Sequence, residues 1–249
     1  VAWSMARARR TRKPRPTGEG FVGADDFAEV LSLLRSSGVD VLPSERAVPA
    51  RFRYRMEEID PDALSYDGAL AFWLNLYNAG ALALAADAVS AGASTVLRIP
   101  GAFDTPWAMV GGEALSLNYI EHGKIRRFGD PRIHAALVCG SVSCPSLRYE
   151  PFGEALGVQL DDQMRGFLAS GGAHLDRESG IIQLSRLFLW YGGDFIRPGR
   201  MPTWIPARRR DLPRSIAQWL PEDDANWVVA SSPNVEYATY DWGLACSIA

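Results

Sequence analysis

The chain reads as an α+β domain, a small antiparallel sheet packed by several helices. Three observations predict this. Residues 69–92, ALAFWLNLYNAGALALAADAVSAG, are apolar nearly all round, as in a helix buried in a domain core. WAMVGGEALSL and HLDRESGIIQLS carry hairpin signals, the first alternating about Gly111 and Gly112. Around them, apolar residues recur at helical spacing.

Taken in order, MARARRTRKPRP (residues 5–16) holds six of the 26 basic residues and no acid. Such a stretch serves as an arm for RNA or acidic lipid, or as a solvated tail. Pro14 and Pro16 oppose helix, so residues 1–20 are expected to be a disordered tail and 21–249 one domain. No apolar segment of the Sec type follows, which gives a cytoplasmic expectation. ADDFAEVLSLLRSSG predicts a helix with Phe27, Val30, Leu31 and Leu34 inward, capped by Asp25 or Asp26 and ended by Gly38. Pro43, Pro49 and Pro61 make the stretch from Val39 to Leu64 a wrapping connection.

The long helix at 69–92 is long enough to suggest a membrane span, but Asn75, Asn78 and Asp87 argue for burial in protein. After the first hairpin, Ser116 caps a helix running to Gly129. RIHAALVC is expected to be a central strand, and PFGEALGVQLDDQMRGFLASGG an amphipathic helix. RLFLWYGGDF predicts a short helix stopped by its two glycines. DLPRSIAQWLP predicts another with Pro213 in its first turn, and WVVASSPNVEYATYDW a final pair of strands.

Hydrophobic residues make up 47% of the 249 and charged residues 22%, enough for a sizeable core. A net charge of −3 gives no general reason to expect a nucleic acid partner. Three cysteines cannot all pair, and a chain this large does not need disulfides, so reduced thiols are expected.

The chemistry concentrates in HAALVCGSVSCPSLR, residues 134–148. Pro145 would put Cys144 at the N-cap of a short helix, where free N–H groups stabilise a thiolate. The GSVS loop would then offer backbone N–H groups to an oxyanion. By itself, Cys144 reads equally as a cysteine in a tight turn, and Cys139 as a small core residue. On a regular strand His134 and Cys139 face opposite sides, while His134 could meet Cys144 if the loop folds back. Glu121 and His122, adjacent on a helix, do not pair directly, and His122 shares a face with Arg126. His174 reads as a surface residue. Asn75 and Asn78 lie one turn apart on the buried helix and must meet a loop backbone, a histidine or a ligand. The ligand spacing for a metal site is poor, and no metal or other cofactor is expected.

Five strings, AFWLNLYNA, SLNYIEHGKIR, DPRIHAALVCGSVSCPSLR, LSRLFLWYGGDF and YDWGLA, resemble in order and spacing the signatures of the domain of unknown function 547 family, over about residues 60–244. That family occurs in bacteria and plants. Its bacterial members are often exported, and in plants the domain can follow a coiled coil or sit beside a glutaredoxin-like domain. The resemblance implies that Glu121, His122, His134, Cys139 and Cys144 belong to a site. It also implies roles for Asn75, Asn78, Arg127, Ser143 and Asp194, and for Tyr240 and Asp241. This chain departs from the pattern at the end of YDWGLAC, where the family tends toward Asn, and in lacking a recognisable export signal.

Three functional expectations follow. The first is a cysteine-dependent acyl-transfer or hydrolase-type enzyme, with Cys144 as nucleophile, His134 or His122 as base and Glu121 or an Asn amide as orienter. By analogy this resembles the papain and transglutaminase arrangements. The second is a reversible Cys139–Cys144 disulfide in thiol redox chemistry. The third is a non-catalytic ligand-binding or protein-interaction domain. The expected partner is a small molecule or peptide, with no nucleic acid and no membrane span.

Overall fold

The computed structural model describes residues 13–203 and 205–248, so residues 1–12 of the expected tail lie outside the described residues. From Thr17 the chain is attached. The N–H groups of Thr17 and Gly18 donate to the carbonyls of Asp62 and Leu64, and Ser65 N–H donates to Gly20.

Helix α1 (Asp25–Ser37) buries Phe27, Val30, Leu31 and Leu34, as their spacing predicts. Neither aspartate caps it. Both sit in its first turn, where the helix dipole favours acids, and Ala24 takes the cap position. The expected connection contains a helix, α2 (Ala47–Glu57). Pro49 is its third residue, and the N–H groups of a first turn have no intrahelical acceptor to lose.

Helix α3 (Tyr66–Ser90) starts at Ser65, whose side chain accepts the N–H of Gly68. It is long and apolar enough to cross a membrane, but 94% of its most apolar window is buried inside the protein. Strands β1 (Pro106–Val110) and β2 (Glu113–Ser116) form the first hairpin. Gly111 and Gly112, at φ 60° and 76°, supply the two left-handed positions of a tight primed turn.

Ser116 then accepts the N–H of Tyr119 and starts α4. This element runs as α-helix over Leu117–Tyr119, widens to a π turn at Ile120–Lys124, and tightens to 3-10 at Ile125–Phe128. Gly129 ends it in the left-handed conformation.

The expected central strand at 132–139 is not a strand. Ile133–Ala136 form a helical turn, α5, and the chain then runs extended to Cys139. A short buried apolar run does not distinguish the two by pattern. The Asn78 side chain takes the place of a neighbouring strand, donating to Ala136 O (2.9 Å) and accepting from Val138 N–H (3.1 Å).

Helix α6 (Leu156–Phe167) precedes β3 (Ala173–Asp176) and β4 (Ile181–Leu184), which pair antiparallel as expected. Helix α7 (Arg186–Ile196) is not stopped by Gly192 and Gly193, which lie inside it. A Cβ on Gly193 would collide with Ile205 O, so these glycines allow a close crossing. Pro213 sits in the first turn of α8 (Leu212–Ile216). The first of the two expected final strands is helical instead. Trp227 and Val228 lie in α9 (Glu222–Ser231), whose first turn carries Glu222, Asp223 and Asp224. The second forms β5 (Asn234–Tyr237), parallel to β4. The fold is thus α+β, with two small sheets and one parallel pair where a single antiparallel sheet was expected.

Buried apolar residues form two clusters. One surrounds α3. The other joins α6, α7 and the three-stranded sheet. Asn75 ties the first cluster to the loop before α6, donating to Phe152 O (2.8 Å) and accepting Phe152 N–H (2.9 Å). Asn75→Leu strands both backbone groups and is expected to cost about 2–4 kcal/mol, read as the shift of the urea midpoint.

Candidate functional site

A cavity of about 670 Å³ opens where the two clusters meet. One wall carries Cys139 and Cys144, another Glu121, His122 and His134, and the rim carries Trp190 and Trp242.

The thiol wall starts from α3. Asn78 fixes the chain just before Cys139, and Gly140 (φ 78°) reverses it. The loop is then held by the C-terminal segment. Val142 N–H donates to Gly243 O, Ser143 N–H to Asp241 O, and Leu147 N–H to Ser247 O. Ser143 Oγ accepts Asp241 N–H at 2.9 Å. No helix follows Cys144, so the expected N-cap is absent, because Leu147 is drawn into a bridge with Ile248. The N–H groups of Val142, Ser143 and Cys144 are likewise occupied, the last by Ser141 O, and are not available to an oxyanion.

This turn brings the sulfurs of Cys139 and Cys144 to 2.6 Å as free thiols. Cys139 N–H points at Cys144 Sγ (3.0 Å), and the Tyr240 hydroxyl reaches the same sulfur at 3.5 Å. Tyr240 also lies 2.8 Å from Ser141 Oγ, which stands 3.1 Å from Cys139 Sγ. Burial resists a charge on Cys144. The Cys139 thiol and N–H, with Tyr240 and Ser141, overcome it and bring the thiol down to about 6. The same hydrogen bond to Cys144, and then burial, holds Cys139 well above the ordinary thiol range. Of the two sulfurs, Cys144 is thus the one that holds a negative charge more readily. Cys246, near Gly140, is pushed by burial to about 12.

The opposite wall is a charged network. Asp194 Oδ2 accepts from Arg126 Nε at 2.8 Å and from His134 Nε2 at 2.9 Å, and Arg126 Nη2 forms an ion pair with it at 2.8 Å. Asp194 Oδ1 accepts Thr203 N–H. Arg126 and Asp194 are fully buried. Arg126 Nη1 donates to His122 Nδ1 (3.3 Å), so that ring carries its proton on Nε2. Burial pushes His122 below the usual imidazole range, and Arg126 adds to this against the opposing Glu121 charge.

Glu121 Oε1 stands 3.4 Å from His122 Nδ1 on the π turn, but that nitrogen carries no proton to give, so the two are neighbours and not a hydrogen-bonded pair. Tyr77 donates to Glu121 Oε2 (3.4 Å), and Tyr191 stacks on His134 with centroids 4.2 Å apart. Burial opposes the Glu121 charge, yet His122, Arg126 and His134 hold its carboxyl below the usual range.

The structure therefore gathers Cys144, Cys139, Glu121, His122 and His134 around one cavity. It does not join the histidines to the thiols. Among the described residues no histidine nitrogen stands within hydrogen-bond distance of either sulfur. Asn75 and Asn78 hold loop backbone, and Ser143 holds the C-terminal segment. Arg127 donates to Met201 O and does not line the cavity. Asp194 organises the network from behind His134, and Asp241 accepts Gly243 N–H. His174 is exposed, as expected. Sequence reasoning missed Arg126 as an ion-pair centre, and Ser141, Tyr77, Trp190, Tyr191 and Trp242 as site residues. Only the i,i+4 spacing of His122 and Arg126 signalled any of this. Among the described residues no cluster of three or more metal-ligating side chains occurs.

Residues 61–168 match the model of a family described as "Protein of unknown function, DUF547". The match includes α3, α4 and the cysteine loop. The network's Asp194, the Trp190 rim and Tyr240 lie beyond it. No curated protein and no solved structure matches the chain.

Proposed function

We propose that this chain, whose residues 61–168 match the DUF547 family model, is a dithiol protein that carries out thiol–disulfide exchange. One observation carries the reading: the sulfurs of Cys139 and Cys144 lie 2.6 Å apart in the lining of the cavity, with Cys144 the more acidic of the two. The Cys144 thiolate attacks one sulfur of a substrate disulfide. The S–S bond breaks, a mixed disulfide forms on Cys144, and the departing thiolate takes a proton from solvent. Cys139 then attacks Cys144 Sγ and gives its proton to the second departing thiolate. The protein disulfide closes, and two electrons have passed to the substrate.

The test is alkylation of the reduced protein by iodoacetamide, followed site by site by mass. The thiolate is the reactive form, so the Cys144 rate rises with pH and levels off above its midpoint, expected near 6. Cys139 and Cys246 are expected to lag far behind. His122→Ala and His134→Ala are expected to leave that midpoint in place. A midpoint near the free-thiol value of about 8.5 would overturn the reading. If either histidine variant raises it to that value, the cysteine–histidine hydrolase replaces the dithiol. That second reading is favoured by one observation, that Glu121, His122 and His134 line the same cavity as Cys144.

A further inference from the structure

We infer that the disulfide taken by this site is a small apolar or aromatic molecule that is neutral or cationic, and that anionic disulfides are discriminated against. The inference rests on the dithiol reading and names its substrate class. The first support is size: about 670 Å³ suits a small molecule.

The second support is charge. Among the described residues the lining includes the carboxylates of Glu121 and Asp104 and no lysine or arginine. Arg126, which touches the lining residue His122, is committed to Asp194. Glu121 and the Cys144 thiolate therefore leave the cavity negative. An anionic disulfide approaching Cys144 meets both charges, and its departing thiolate adds another. These repulsions act on the anion from its approach onward, where salt screens them.

The third support is the rim. Trp190 and Trp242 are 43% and 38% exposed, and their rings stack with centroids 5.6 Å apart. Tyr240 packs against both, at 4.9 and 4.5 Å, and its hydroxyl reaches both sulfurs. An apolar ring lying against this platform is carried by Tyr240 to the thiolate. Aromatic faces also accept a cation, which the carboxylates reinforce.

The test uses the reduced full chain in stopped flow near pH 7. Two chromogenic aromatic disulfides are compared: neutral 4,4′-dithiodipyridine and dianionic 5,5′-dithiobis(2-nitrobenzoate). Each rate is divided by that of a free cysteine derivative. The neutral reagent is expected to be favoured by at least about tenfold over the free-thiol ratio. Added salt should narrow the gap by speeding the dianion. Glu121→Gln should narrow it further, and the salt series on the parent chain decides the matter if that variant does not fold. If both reagents oxidise the pair at the free-thiol ratio, with no salt effect, the substrate class is wrong and the dithiol chemistry stands. If neither oxidises it, the dithiol reading fails and the substrate class falls with it.

Discussion

Asp194→Ala is expected to cost about 3–5 kcal/mol of folding stability, the range for breaking a buried ion pair by removing one partner. The reason lies in what it leaves behind. Arg126 is fully buried, gives one hydrogen bond to Asp194 Oδ2 through Nε and pairs with it through Nη2, and His134 gives a second hydrogen bond. Without the carboxylate, a guanidinium is left in the core beside the His122 ring and the Tyr191 face, with no carboxylate bonded to it. The urea midpoint measures the loss. Acid titration supplies the sign. Burial would raise the Asp194 carboxyl, but the His134 hydrogen bond and the Arg126 charge hold it below its ordinary value. Its contribution is therefore present above the usual carboxylate pKa of about 4 and lost as pH falls through the lower folded value. The variant should lose this part of the acid limb. A parent-like midpoint would mean that water reaches Arg126.

Cys139→Ala is expected to convert a transient species into a trapped one. Cys144 still forms the mixed disulfide, but no thiol stands 2.6 Å away to resolve it. Intact mass should show one substrate half per chain, where the parent releases both thiols and ends two mass units lighter. The trap is expected to persist for hours, the timescale of uncatalysed rearrangement. Cys144 should also become less acidic, since the Cys139 thiol is the first of the donors that lower it. Cys139 N–H remains, so the shift stops short of an ordinary thiol. Release of both substrate halves by the variant would show that Cys139 is not the resolving thiol.

The elements legible in the sequence were those with a local signature. The buried α3, the Gly111–Gly112 hairpin, the Ser116 start and the amphipathic α1 and α6 each carry their pattern within a few turns of chain. The errors fell where one pattern serves two structures. IHAALV is equally apolar as strand or helix, and WVVAS lies in a helix because an acidic turn precedes it. Pro49 and Gly193 were read as breaks, although one sits where no N–H is needed and the other where two backbones touch.

The sequence by itself determined the α+β class and the burial of Asn75 and Asn78. These follow from periodicity and from the rule that a buried amide must be hydrogen-bonded. Only the tertiary structure decided which groups meet. Cys139 and Cys144 face one another because Asn78 holds one end of the loop and the segment around Asp241–Leu244 holds the other. His134 turns to Asp194, 60 residues on, and Tyr240 reaches the sulfurs from about 100 residues away. Contacts across such separations leave no periodic trace in the chain, because they are fixed by the packing of two hydrophobic clusters and not by the residues next in line.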